Sequence, residues 1–154
     1  KIALGQGMEV LAHDTHCEIA TIDLDFYDGQ KVSFTINTVG IEEVYKNADF
    51  ITVHVPHQGE ALISKKEIEM MKDNVGLINA ARGGVIDEAD LLDALESGKV
   101  RFAGLDVFVN EPTPNMKVLM THQISMSPHI GAATLEAQDR IGTELAEQIE
   151  SLLK

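Results

Sequence analysis

The stretch Gly76-Leu-Ile-Asn-Ala-Ala-Arg-Gly-Gly84 joins a short apolar run to an arginine and two glycines. A continuous apolar run of this length predicts a strand that is covered on both faces, as in a parallel sheet. The two glycines allow the chain to turn sharply after the strand. An arginine at such a strand end suits a carboxylate ligand, although a surface salt bridge would also account for it.

Similar apolar runs recur along the chain and alternate with helical patterns. The predicted strands are Met8–His13, Phe50–Val55, Gly76–Ala81, Phe102–Phe108 and Ile124–Ser127, with a weaker one at Lys31–Ile36. The predicted helices are Ile41–Ala48, a segment that begins at the capping box of Ser64 and Glu67, Glu88–Ser97 between Asp87 and Gly98, and a final helix from about Thr134. This alternation predicts an α/β fold, a doubly wound parallel sheet with right-handed crossovers, in which ligands bind beyond the carboxyl ends of the strands.

The final helix has its own hydrophobic pattern. Its apolar residues recur at helical spacing and its acidic residues lie between them, which predicts one packed face and one solvated face. The apolar residues are Ile141, Leu145, Ile149 and Leu152.

The composition narrows the possible functions. The 154 residues include 12 Lys and Arg and 25 Asp and Glu, which gives a formal net charge of −13. This charge argues against nucleic acid as a partner, because no basic stripe is present to neutralise phosphates. No apolar run approaches the roughly 20 residues that a membrane-spanning helix needs. The single cysteine, Cys17, excludes an internal disulfide and fits a reducing, cytoplasmic location.

Two residues at predicted strand ends are candidates for contact with a nucleotide. Asp14 follows Met8–His13, and an acidic residue that ends the second strand of a dinucleotide fold accepts hydrogen bonds from ribose hydroxyls. A carboxylate there also repels a 2′-phosphate, whereas a simple helix or turn cap is the alternative interpretation. Pro56 follows the run Phe50–Val55 and either ends that strand or forms a wall of the nucleotide site.

Three further polar side chains follow three different predicted strands: Arg82, Glu111 and His129. Because parallel strands end at the same edge of a sheet, we expect these side chains to lie close together. An arginine that holds a carboxylate, a histidine that moves a proton and a carboxylate that orients the histidine make a general acid–base set. Taken alone, His129 would more simply be a structural residue, and Asp106, inside an apolar run, requires a partner.

A metal site is not expected from the sequence. Two groups of neighbouring residues contain the spacing His-x₂-His, but at a strand end this spacing lacks the full set of carboxylate or cysteine partners that a metal site needs. The groups are His13, His16 and Cys17, and His54 with His57.

Three motifs resemble those of one enzyme family. They are Leu77-Ile-Asn-Ala-Ala-Arg-Gly-Gly-Val-Ile-Asp87, Ala103-Gly-Leu-Asp-Val-Phe-Val-Asn-Glu-Pro112 and Ser127-Pro-His-Ile-Gly-Ala-Ala-Thr134. In this order they resemble the D-isomer-specific 2-hydroxyacid dehydrogenases, and the resemblance covers nearly the whole chain. It implies a Rossmann-type NAD-binding domain, NAD as cofactor, a small 2-hydroxy acid as substrate, and a parent protein that forms a dimer or tetramer.

The resemblance also implies a role for each matching residue. Arg82 would bind the carboxylate and carbonyl of the substrate, and Glu111 would hydrogen-bond the catalytic His129. Asp14 would bind the ribose, and Asp106 would bind the nicotinamide carboxamide. The other residues near the cofactor would be Val55, Pro56, Ala80, Ala81, Gly131 and Ala132, together with Arg82 and His129.

The resemblance does not decide which 2-hydroxy acid is the substrate, or whether the protein is an enzyme at all. A glyoxylate or hydroxypyruvate reductase is one alternative, because the choice of substrate depends largely on a second domain. A non-catalytic NAD-binding scaffold is another, since the family also includes corepressors that bind dinucleotides.

One departure from the family pattern concerns the cofactor pyrophosphate. The glycine-rich loop Gly-x-Gly-x-x-Gly is absent, and Gly5 and Gly7 do not supply it because no strand precedes them. Residues Lys1–Gly7 resemble the end of the helix that would follow such a loop. We therefore expect residues 1–154 to form a partial NAD-binding domain of a longer protein, without the first strand and without the substrate domain.

Overall fold

The computed structural model describes residues 1–131 and 133–153. In chain order the elements are α1 (Ile2–Gly5), β1 (Ile19–Asp25), β2 (Lys31–Asn37), α2 (Ile41–Asn47), β3 (Phe50–Val53), α3 (Lys65–Met70), β4 (Val75–Asn79), α4 (Glu88–Ser97), β5 (Val100–Leu105), α5 (Met116–Met120), β6 (Ile124–Met126) and α6 (Leu135–Leu152). The helices and strands alternate from α2 onward, as the sequence predicts.

The main sheet has four parallel strands in the order β3-β4-β5-β6. One row of paired residues crosses all four strands, and its apolar side chains form the centre of the core. The row is Ile51, Leu77, Ala103 and Ile124. The predicted α/β, Rossmann-type parallel sheet is therefore confirmed, and its strands follow sequence order without the reversal of a complete doubly wound sheet.

Helices α2 to α5 pack on the face of the sheet that carries this row. They contribute buried apolar side chains to the same cluster, including Tyr45, Ile68, Leu91, Leu95 and Val118. Helix starts follow the predicted chemistry: the Ser64–Glu67 capping box is present, and the Asp87 carboxylate accepts hydrogen bonds from the N–H groups of Ala89 and Asp90. Gly98 ends α4 in the left-handed conformation, with φ of 80°.

The opposite face of the sheet is less covered. The rings of Phe50 and Phe102 lie 5.9 Å apart, and a β-carbon on Gly76 between them would come 2.7 Å from Phe102 Cζ. Phe50 remains 54% exposed because β3 is the edge strand of the four-stranded sheet.

The prediction of a first strand at Met8–His13 is wrong. Only Ala12 pairs with another segment, through an isolated parallel bridge to Thr38. The weaker run at Lys31–Ile36 is a strand, but it pairs antiparallel with β1 in a separate hairpin, and β1 was not predicted. An apolar run forms a strand only when a neighbouring strand is present to pair with it. In the described chain, Lys31–Asn37 pairs with β1 across a tight turn, whereas Met8–His13 has no such partner.

Three smaller differences concern the later elements. The predicted strand Phe102–Phe108 begins at Val100 and ends at Leu105, so Asp106 lies in the loop after the strand. Helix α5 was not predicted. The final helix is present, but its predicted packed face is exposed: Ile141 is 53% accessible and Leu145 is 55% accessible. Ala137 is the one residue of this helix that is buried.

Among the described residues, no helix is both long enough and apolar enough to cross a bilayer.

Replacing Asp87 with Ala should lower the free energy of unfolding by about 1 kcal/mol, because two N–H groups at the start of α4 lose their acceptor. Chemical denaturation of the full-length protein measures this change. The matched control is Asp93→Ala, an exposed position inside the same helix. Equal losses for the two variants would contradict a capping role.

Candidate active site at the carboxyl edge of the sheet

The loops that carry the predicted site residues leave the sheet at one edge. Strands β3, β4, β5 and β6 end at Val53, Asn79, Leu105 and Met126. His54 to Pro56, Ala80 to Gly84, Asp106 to Glu111 and Ser127 to Gly131 follow these ends directly. Parallel pairing thus brings four separate segments to a single edge.

The turn that holds Arg82 is built by Asn79. This side chain is 2% exposed; its Nδ2 donates to the carbonyl of Arg82 at 2.9 Å, and its Oδ1 accepts from the N–H of Ala81 at 3.1 Å. A buried amide with both ends bonded fixes the backbone on which Arg82 stands. Sequence reasoning missed this role, although a polar residue at the end of an apolar strand was the available signal.

Gly83 allows this turn to touch the loop after β5. A β-carbon at Gly83 would overlap the carbonyl oxygen of Phe108 and would lie 2.9 Å from the backbone nitrogen of Val109. The next residue, Gly84, has a φ of 82°, which side chains rarely adopt. Gly83 therefore allows the close contact with Phe108, and Gly84 allows the positive φ of the turn.

The side chain of Arg82 is available to a ligand. Its Nη1 donates to the carbonyl of Ala81 at 2.6 Å. Among the described residues the ion pairs do not include Arg82, so the surface salt bridge considered from the sequence is not seen. A guanidinium without a carboxylate partner suits the binding of an external carboxylate.

Asp106 holds the turn that contains His129. One carboxylate oxygen accepts from the hydroxyl of Ser127 at 2.7 Å and from the N–H of Ile130 at 3.0 Å, and the other accepts from the N–H of Gly131 at 3.0 Å. Burial raises the pKa of Asp106, but these hydrogen bonds outweigh it, so the pKa lies below its ordinary value. The carboxylate that was expected to contact nicotinamide already has three partners here, and the contribution of Ser127 was not predicted.

His129 and Glu111 form the predicted pair. Nδ1 of His129 lies 2.7 Å from Oε2 of Glu111, while Oε1 of Glu111 accepts from the N–H of Phe108 at 2.9 Å. The bond from His129 and then that from Phe108 lower the pKa of Glu111, which keeps it ionised. His129 has a φ of 55°, an uncommon conformation for a residue with a side chain. With Nδ1–H donated to the carboxylate, Nε2 of a neutral ring is left as a proton acceptor.

Two open clefts lie at this edge and share Ala80. One, of about 350 Å³, is lined by His54, Val55, Pro56, Ala80, Ala81 and Arg82. The other, of about 270 Å³, is lined by Ile78, Ala80, Gly104, Leu105, Asp106, Ser125, Met126 and Ser127. The structure therefore brings together most of the residues that the sequence proposes for the cofactor, while Ala132 lies outside the described residues.

Asp14 is not among the residues that line either cleft. Its Oδ1 accepts from the N–H groups of His16 and Cys17 at 2.7 and 2.9 Å, and these bonds lower its pKa. The carboxylate thus caps a turn, as the alternative interpretation holds, and its second oxygen remains available to a ribose.

The family model described as "D-isomer specific 2-hydroxyacid dehydrogenase, NAD binding domain" matches residues 1–131. The chain belongs to this family. Proteins of this family are similar to this chain over nearly all of its length. The motifs quoted above therefore lie in a domain that the chain shares with them.

Three relatives illustrate the similarity. D-3-phosphoglycerate dehydrogenase from Mycobacterium leprae is 39% identical over 149 residues, which cover 96% of this chain and 26% of the relative. Hydroxypyruvate reductase from Thermotoga maritima is 38% identical over 154 residues, which cover 97% of this chain and 46% of the relative. The crystal structure of a glyoxylate reductase from Paecilomyes thermophila superposes with a TM-score of 0.69 at 33% identity, over 82% of this chain and 38% of that one.

The chain thus spans only 26% and 46% of the length of these two curated relatives. The residues present fit a dinucleotide cofactor at this edge, because the two open clefts share Ala80, whose side chain is small, and the backbone at Gly131 lies close to Asp106. The glycine-rich loop that would hold the pyrophosphate is absent from the sequence.

Gly83→Ala should lower the free energy of unfolding by about 1–3 kcal/mol, because the added methyl forces the Arg82 turn away from Phe108. It should also reduce any turnover of the full-length protein about 10²-fold through misplacement of Arg82. Denaturation and steady-state kinetics measure the two effects.

The matched control is Gly142→Ala in the exposed part of α6, where a β-carbon meets no atom within 4 Å. That change should raise stability by about 0.5–1 kcal/mol, because alanine favours a helix. A Gly83→Ala variant with normal stability and turnover would refute the close contact.

Proposed function

We propose that the protein containing this chain is an NAD-dependent dehydrogenase of a small D-2-hydroxy acid. The observation that carries the proposal is the Glu111–His129 pair, held at 2.7 Å on the same sheet edge as Arg82, which forms no ion pair among the described residues. An acid–base pair and a guanidinium available to a carboxylate, at one edge, suit the oxidation of a hydroxy acid.

The residues divide the reaction between them. Arg82 binds the substrate carboxylate through its planar N–H donors. His129 accepts the proton of the substrate hydroxyl at Nε2 during oxidation and returns it during reduction. Glu111 stabilises the imidazolium that forms, because its pKa is low enough to keep it charged. A bound nicotinamide would supply the hydride acceptor or donor.

The residues around the two clefts would hold the cofactor. Val55, Pro56, Ala80, Ala81 and Arg82 line the first cleft, and Asp106 lines the second beside Gly131. We propose that Ala132 and His129 complete the nicotinamide side, and that Asp14 binds the adenosine ribose.

Oxidation of D-3-phosphoglycerate to 3-phosphohydroxypyruvate, the entry step of serine synthesis, is our leading proposal for the substrate. It is supported by the 39% identity with D-3-phosphoglycerate dehydrogenase over 96% of this chain. The 38% identity with a hydroxypyruvate reductase supports the alternative that the protein reduces hydroxypyruvate or glyoxylate. We further propose a cytoplasmic dimer or tetramer.

Steady-state kinetics of the full-length protein test the role of His129. The variant His129→Asn should lower kcat at least about 10²-fold and affect NAD binding much less, since proton transfer is lost while the residues that line the two clefts are retained. His122→Asn provides the control, because His122 precedes β6 at the opposite edge of the sheet. Near-normal turnover of His129→Asn would overturn the assignment.

The cofactor preference tests Asp14. Asp14→Ala should weaken NAD binding and improve the use of NADP relative to NAD, because the carboxylate no longer repels a 2′-phosphate. Asp28→Ala is a matched control, since Asp28 also accepts a backbone N–H two residues ahead, in the hairpin turn. If both variants lose similar stability and neither changes the preference, Asp14 is only a turn cap.

A further inference from the structure

His57 lies against the turn that carries Arg82. It follows Pro56 in the loop after β3 and is exposed. A β-carbon at Gly84 would come 3.1 Å from Cε1 of its ring and 3.3 Å from both ring nitrogens. A side chain at position 84, two residues from Arg82, would require the imidazole to shift by a few tenths of an ångström.

The nitrogens of His57 differ from those of the other imidazoles at this edge. Nε2 of His54 is 3.0 Å from the hydroxyl of Thr52, and Nδ1 of His129 is bonded to Glu111. Across the described ranges, 1–131 and 133–153, the hydrogen bonds include no side-chain bond of His57. This ring is therefore in contact with protein on one side and has donor capacity left for a ligand.

Several charged groups near the sheet are already bonded to other groups of the protein. Asp106 and Glu111 are already bonded to protein donors. Lys72 and Lys99 stand just before β4 and β5, at the other edge, where they pair with Asp49 and Asp73. None of these four groups is therefore an additional donor for an anion held at Arg82.

Arg82 alone does not satisfy a carboxylate. Its Nη1 is engaged with the carbonyl of Ala81, whereas the two oxygens of a carboxylate have about four acceptor positions. A second donor beside the same turn would add to the binding of the anion. The ring of His57 lies beside that turn at Gly84, and its neighbour Pro56 lines the cleft of Arg82.

We propose that His57 is a substrate-binding residue that donates a hydrogen bond to the carboxylate held by Arg82. The inference rests on the proposed function, because it takes a 2-hydroxy or 2-oxo acid as the ligand. Since every such acid has the carboxylate, His57 serves binding of the whole class and does not select the substituent at C3.

Kinetics of the full-length protein with NADH and three 2-oxo acids test the proposal: glyoxylate, hydroxypyruvate and 3-phosphohydroxypyruvate. His57→Leu should raise KM about tenfold for each acid that is turned over, while kcat stays within about twofold and KM for NADH is unchanged. His57→Gln should recover most of the affinity, because its amide donates a hydrogen bond. His122→Leu, at the opposite edge, should change none of these values.

Binding of oxalate to the NADH-loaded protein, measured by calorimetry, gives a readout without turnover. His57→Leu should weaken it about tenfold, and His57→Ala serves if the leucine variant does not fold. Unchanged oxalate binding, an effect confined to the phosphorylated acid, or a glutamine variant as weak as leucine would overturn the proposal. Absence of turnover in the wild-type protein would refute the proposed function itself, and unchanged oxalate binding in an active protein would refute only the role of His57.

Discussion

The backbone of Gly83 lies directly against the carbonyl of Phe108, with no room for a side chain between them. This contact joins the loop after β4 to the loop after β5. The N–H of Phe108 in turn bonds Glu111, and Glu111 bonds His129 in the loop after β6. The turn of Arg82 and the loop of His129 are therefore connected through one backbone contact and two hydrogen bonds of the Glu111 carboxylate. Such fixed positions suit the proposed binding of one small substrate by both groups.

The strained conformation of His129 has a local cause. A φ of 55° is unfavourable for this residue, and three hydrogen bonds from the loop to the Asp106 carboxylate hold it in place. Because those bonds keep the pKa of Asp106 below its ordinary value, they stabilise the fold fully above the ordinary pKa of an aspartate. This contribution is lost as the pH falls through the lower native value. The geometry of the proposed proton-transfer group, His129, thus depends on the carboxylate of Asp106, to which no proton transfer is assigned.

Sequence reasoning predicted the parts of the structure that depend on local pattern. The four strands of the main sheet were readable because each is a continuous apolar run, and parallel pairing then placed Arg82, Glu111 and His129 at one edge. Met8–His13 has an equally apolar run but pairs only at Ala12, since strand formation depends on a neighbour that a local pattern does not reveal. The hairpin partner Ile19–Asp25 was missed although its apolar residues alternate. The contacts of Ser127 with Asp106 and of His57 with Gly84 join residues distant in sequence, so no local signal identifies these partners. Asn79 bonds only Ala81 and Arg82 through its side chain, and its place at the end of an apolar strand was a local signal that sequence reasoning missed.

The net charge of −13 would repel an anionic ligand at long range. Exposed charges farther away than a Debye length, about 8 Å at physiological ionic strength, are largely screened, so the total charge has little influence inside the clefts. The nearby carboxylates Asp106 and Glu111 already accept hydrogen bonds from protein donors, which offsets part of their field. What an anion meets at the carboxyl edge is therefore set by a few donors within hydrogen-bond reach, above all the guanidinium of Arg82. An acidic chain can in this way hold an acidic ligand, provided that its strand ends converge as they do here.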